Sequence, residues 1–194
     1  AESGLCLSFQ GVALHGHQDV GLRACGEATR WHWNHSGTAE LQAASDSPGI
    51  AGAGGISNVC DAFLQRGDVV IVEAPSFSGS LRTIRGHMPE ILTAPVDDGG
   101  VVVERVAEEI EKAEAMGKRV KLLYIIPDFQ NPSGSSCSDE KRVQLVALAR
   151  EHGFLLLEDS PYRDLRYRGN EQPTLRELAP EQVLQLSSFS KLIG

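Results

Sequence analysis

The sequence predicts an α/β fold, a three-layer α/β/α sandwich around a mostly parallel sheet, and three observations lead there. From residue 50 onward, short apolar runs rich in Val, Ile and Leu alternate with helical patterns, as buried parallel strands joined by crossover helices do. The runs are continuous in hydrophobicity, which implies that both faces of each strand are covered. A chain of 194 residues with 41% hydrophobic content is also long enough to bury a core of that kind.

Taken in order, strands are expected at 69–73 (VVIVE), 91–95 (ILTAP), 120–126 (VKLLYII), 154–158 (FLLLE) and 183–186 (VLQL). Residues 101–116 repeat apolar positions at helical spacing and should stop at Gly117, since glycine readily takes the left-handed conformation that ends a helix. Residues 139–152 form a second expected helix. Ser138 can cap it, Asp139 and Glu140 complement the helix dipole in its first turn, and Gly153 ends it. Residues 1–49 have no clean period of either kind and stay unassigned. Residues 50–194 are expected to be a domain cut short, because Gly194 falls just past a strand.

The formal charge of -8 and the interleaving of acids with bases argue against nucleic acid as a partner, which needs clustered Lys and Arg. Cys6, Cys25, Cys60 and Cys137 form no CxxC pair, so neither a zinc site nor a disulfide framework is expected, and a reducing cytoplasm fits. His15 with His17, and His32 with His35, lack acidic or cysteine partners at a useful spacing and are read as solvated. No apolar run approaches the ~18 residues of a membrane span.

The residues that could carry chemistry cluster by position. Pro75-Ser76-Phe77 follows VVIVE, Asn131-Pro132 follows VKLLYII, Asp159 and Tyr162 follow FLLLE, and Ser188, Ser190 and Lys191 follow VLQL. Ligands of open parallel sheets bind beyond the carboxyl ends of the strands, where all of these fall. Gly52-Ala53-Gly54-Gly55 opens a helix before VVIVE, and free N–H groups at a helix start can hold a phosphate. Each residue alone also has a plain explanation: Lys191 a surface lysine, Asp159 a loop cap, Asn131-Pro132 a turn, Phe77 core packing.

As an ordered set these residues resemble the class I and II aminotransferases, pyridoxal-phosphate enzymes of fold type I, over roughly residues 50–194. The resemblance rests on PDFQNPSG at 127–134, EDSPY at 158–162 and SFSK at 188–191. The 28-residue step from Asn131 to Asp159 and the three-residue step on to Tyr162 also match the family's spacing. The resemblance implies that Lys191 bonds the cofactor aldehyde as a Schiff base and shuttles the substrate proton, which an amine does only when partly deprotonated, as burial favours. Asp159 would keep the pyridine nitrogen protonated. Tyr162 and Asn131 would hydrogen-bond the phenolic oxygen, and Phe77 would stack on the ring. Ser188, Ser190 and the N–H groups of Gly52, Ala53 and Gly54 would bind the phosphate.

The family further implies a homodimer and the exchange of an amino group between an amino acid and a 2-oxo acid. The wording FQNPSG with EDSPYRDLRY resembles the branch acting on aromatic amino acids or 2-aminoadipate. It also implies a C-terminal small domain and two arginines, one for the cofactor phosphate and one for the substrate carboxylate, that fall beyond Gly194, so an inactive fragment is a competing expectation. Another is a transcriptional regulator with an aminotransferase-like domain, although such relatives carry HQxP and EDDYDSE where this chain has FQNP and EDSPY. A third is an NAD(P)-binding oxidoreductase, with GAGGIS as the phosphate loop and Glu73 as the ribose-binding acid. It leaves Asn131, Asp159, Tyr162 and Lys191 without a role.

Overall fold

The computed structural model describes residues 29–33, 39–43, 51–188 and 191. In chain order these form β1 (Thr29–Trp33), β2 (Ala39–Ala43), α1 (Ala51–Phe63), β3 (Val69–Ala74), α2 (Ser78–Gly86) and β4 (Glu90–Asp97). There follow β5 (Gly100–Val101), α3 (Val103–Ala115), β6 (Val120–Ile125), α4 (Asp139–His152), β7 (Leu155–Asp159), α5 (Leu175–Leu178) and β8 (Val183–Ser187). They build one sheet of order β1-β2-β8-β7-β6-β3-β4-β5. The run from β2 to β4 is parallel throughout, and an antiparallel strand closes each edge.

Alternation along the strands divides the core into two layers, with one register irregularity where Val69 and Val70 meet β6. Val69 and Ile71, with Leu123, Ile125 and Leu156, face α3, α4 and α5. Val70 and Val72, with Leu122, Tyr124 and Leu157, face the α1 side, where Ile56, Val59 and Ile84 cover them. Every residue of β7 and the first five of β3 are buried, as a sheet covered on both faces requires. The three-layer expectation is therefore met.

All five expected strands are present within a residue or two of their anticipated ends. The helix expected at 139–152 forms over that span. The Ser138 hydroxyl accepts from the Lys141 N–H at 3.4 Å, and Gly153 adopts a left-handed φ of 69°. The helix expected at 101–116 is shorter at both ends. Gly100 and Val101 instead pair antiparallel with Asp97 and Val96, because two valines in a row suit an edge strand as well as a first helical turn. Within the segment left unassigned, β1 and β2 pair with each other, and β2 joins β8. That segment carries strand structure that its sequence does not announce.

Chain order turns back at the centre of the sheet. From β3 it runs outward to β4 and β5, then returns to β6 on the other side of β3. Such a switch point leaves a crevice at the carboxyl ends of the two strands. The loops after β3 and β6 are the ones that carry Phe77 and Asn131.

The tight β4–β5 connection depends on Gly100, whose φ is +95° and whose added Cβ would lie 2.6 Å from Cys137 Cα. Gly100→Ala is expected to cost about 2 kcal/mol or more by combining backbone strain with overpacking. Gly117→Ala, at a left-handed φ with nothing within 4 Å of the new methyl, should cost about 1 kcal/mol. Urea denaturation of both variants checks the order.

Candidate functional site

Three side-chain clusters sit at the carboxyl edge of the parallel sheet. The first is built on Glu73, the penultimate residue of β3, which is 2% exposed. Its Oε2 accepts from the Ile126 N–H at 3.0 Å and from Gln130 Nε2 at 3.4 Å. Gln130 Nε2 also donates to the Pro75 carbonyl at 2.7 Å, while its Oε1 accepts from the Ser133 N–H and hydroxyl. Glu73 and Gln130 thus tie the loop carrying Phe77 to the loop carrying Asn131. Burial pushes the Glu73 carboxyl up to about 8, although its two donors oppose this.

A second brace closes from the other side. Asp128 is fully buried and receives three guanidinium groups: Arg142 at 3.0 Å, Arg166 at 2.8 Å and Arg163 at 3.2 Å. Arg142, itself fully buried, also donates to the carbonyls of Cys137, Pro127 and Pro173. Asp128 lies three residues before Asn131, and Arg163 directly follows Tyr162. The ion pair between them draws their neighbours together, and Asn131 Nδ2 comes within 3.4 Å of the Tyr162 hydroxyl. The plain turn alternative for Asn131-Pro132 leaves this approach unexplained.

Asp159 ends β7 with 7% exposure. Its Oδ2 accepts from the Tyr124 hydroxyl at 2.7 Å; among the described residues Oδ1 has no hydrogen-bond partner. Burial raises the carboxyl to about 6, against the Tyr124 hydrogen bond, which lowers it. At neutral pH it is mainly ionised. Phe77 is 43% exposed at the start of α2, so its ring is not core packing. Gly79 leaves room for that ring, since a Cβ there would meet Phe77 Cε1 at 2.7 Å.

Gly52, Ala53 and Gly54 lie in the first turn of α1, where helix N–H groups have no intrahelical partner. Ser188 follows the end of β8 and is partly buried. Ser190 lies outside the described residues, as do the side chains of the four histidines weighed as metal ligands. Lys191 is described and exposed. The burial expected for its amine is therefore not supplied by the described residues, and its sequence neighbours 189–190 and 192–194 are not among them.

Sequence reasoning missed Tyr124, Ser80 and Gln130 altogether. A tyrosine inside a largely aliphatic strand was the available signal for Tyr124, because a buried phenol needs a partner. Glu73 was weighed only as a ribose ligand. Its carboxyl is instead buried and engaged with Ile126 and Gln130.

With this geometry in view, the chain is similar to known proteins in a consistent way. The family model described as aminotransferase class I and II matches residues 7–194. The aromatic-amino-acid aminotransferase 1 of Thermococcus litoralis is 36% identical over 133 residues, 68% of this chain and 32% of that protein. The kynurenine aminotransferase of Pyrococcus horikoshii, solved in complex with PMP, superposes with a TM-score of 0.69 at 36% identity, covering 72% of this chain and 35% of that one. The alpha-aminoadipate aminotransferase of Thermus thermophilus, complexed with N-(5'-phosphopyridoxyl)-L-leucine, gives a TM-score of 0.66 at 34% identity over 72% and 36% of the two chains. The fold is that of the fold type I aminotransferases. This chain belongs to the class I and II aminotransferase family, and it spans about a third of the length of the curated relatives it matches. Among the described residues no helix is long and apolar enough to cross a membrane.

Two outcomes follow for the braces. Asp128→Ala strands three guanidinium groups around an empty position, and should cost about 3 kcal/mol or more in denaturant unfolding. For Glu73 the folded carboxyl binds its proton more tightly than the unfolded one, so its contribution to stability is complete below about pH 4.5 and is lost as pH rises toward 8. Asp159 behaves likewise only up to about 6, which leaves pH 6 to 8 to Glu73. Stability measured across that window should fall in the native protein and stay level in Glu73→Gln.

Proposed function

We propose that this chain is the cofactor-binding core of a pyridoxal-phosphate-dependent transaminase, which moves an amino group between an amino acid and a 2-oxo acid. The observation that carries the reading is the approach of Asn131 to Tyr162. These residues come from different strand ends, yet they converge as two groups sharing one phenolic oxygen would. The donor set around them fits the cofactor. Asp159 offers an ionised carboxylate with one oxygen open, Phe77 an exposed ring, and the start of α1 a set of N–H groups for phosphate.

Bound there, pyridoxal phosphate supplies an electron sink for the electrons of a substrate Cα–H bond. Asp159 holds a proton at the ring nitrogen, which maintains the positive charge that draws those electrons. Asn131 and Tyr162 orient the ring by donating to its phenolic oxygen. Phe77 covers one face of the ring and keeps water from it. Lys191 would hold the cofactor covalently and, once a substrate amine has displaced it, would be the free amine that carries the proton from Cα. Ser188, Ser190 and the first turn of α1 bind the phosphate.

Lys191 acts this way only when desolvated, and the described residues leave it exposed. We read the enzyme as a cytoplasmic homodimer of amino-acid metabolism. The free, buried Cys60 and Cys137 suit a reducing compartment, and the dimer rests on the family resemblance. Among substrates, the named relatives favour aromatic amino acids, kynurenine or 2-aminoadipate.

Reconstitution of the full-length protein with pyridoxal phosphate should produce a visible absorption band that borohydride bleaches. Lys191→Ala should lose that band. Asp159→Ala should retain the cofactor, more weakly, and lose turnover by about a hundredfold or more. A Lys191→Ala protein with an unchanged band removes the assignment.

A further inference from the structure

Among the described residues, a buried polar cluster touches Asp159 directly. Tyr124 points from β6 into the α1 side of the core and is fully buried. Its hydroxyl lies 2.7 Å from Asp159 Oδ2 and 2.7 Å from the hydroxyl of Ser80, itself 2% exposed. A phenol has one proton to give, and an ionised carboxylate can only accept. The phenol proton therefore goes to Asp159, and the Ser80 hydroxyl donates to the phenol oxygen. Ser80 lies in the first turn of α2, three residues after Phe77. One helix start thus carries both the exposed aromatic ring and the origin of the relay.

Building on the transaminase reading, we propose that Ser80 and Tyr124 form a two-hydroxyl relay that positions Asp159, keeping one carboxylate oxygen occupied and the other turned to the cofactor's ring nitrogen. Tyr124 is a positioning residue acting through Asp159. The titratable groups facing Asp159 are Tyr124 from β6 and Glu73 from β3; α2 contributes the uncharged Ser80 and β8 the apolar Leu186, its register partner. Glu73 is largely protonated at neutral pH, so it adds little repulsion. No cation among these groups stabilises the Asp159 charge. Against the burial that penalises it, the Tyr124 hydrogen bond is the opposing contribution. That places Tyr124 in control of the pH at which Asp159 ionises. Its own phenol, buried beside a carboxylate, is held well above its ordinary range and keeps its proton at any working pH.

The test uses the full-length protein and two readouts. In the apo protein, isotope-edited infrared titration follows the Asp159 carboxylate, identified by its loss in Asp159→Asn. Tyr124→Phe removes only a hydroxyl and should raise that midpoint by about one pH unit, and Ser80→Ala by less. In the holoprotein, cofactor affinity measured against pH should keep its alkaline plateau in Tyr124→Phe while the acid limb moves up by the same amount. An unmoved midpoint in both variants overturns the relay, as does an equal loss of affinity at every pH. Failure of the transaminase reading looks different, since the unmutated protein would then bind no cofactor while the infrared arm still reports on the relay.

Discussion

The buried carboxyl of Glu73 is the constraint on which the edge of this sheet depends. Parallel strands that end side by side leave backbone N–H groups without a ladder partner, and a buried unpaired group costs about 1 to 3 kcal/mol. Glu73 takes the N–H of Ile126 just beyond β6, and through Gln130 it reaches the Pro75 carbonyl. One side chain thereby completes the ends of two adjacent strands and sets the spacing of the loops they feed. Phe77 and Asn131 inherit their positions from it.

Electrostatics then divide the edge into parts with different duties. Asp128 is neutralised by arginines and works as a brace. Glu73 is kept largely protonated by burial. Asp159 combines a buried carboxyl raised to about 6 with an oxygen that has no hydrogen-bond partner among the described residues. Three acids of similar chemistry therefore meet three environments, and environment assigns the roles. Asp128 and Arg163 also bring the Asn131 and Tyr162 loops together, so a structural ion pair underlies the contact that best supports cofactor binding.

Much of this was legible in the chain. Apolar runs bounded by glycine, proline and serine marked five strands, most plainly β3 and β7, which are buried on both faces. Ser138 and Gly153 marked a helix at both ends, because caps act locally. Less visible were β1 and β2, which lie at an edge and lack the apolar run of an inner strand, and β5, whose two residues are too few to make a period. The braces were unreadable for another reason: Glu73 and Gln130 are 57 residues apart, and nothing local ties them.

By itself the sequence determined the fold class, the family and the order of the candidate residues along the edge, since strand burial, caps and the strings PDFQNPSG, EDSPY and SFSK are properties of short stretches. Tertiary structure alone decided which acid stays charged, which tyrosine holds it, and that Asn131 meets Tyr162. Those outcomes depend on desolvation and on contacts between strands distant in sequence, and neither is set until the sheet has assembled.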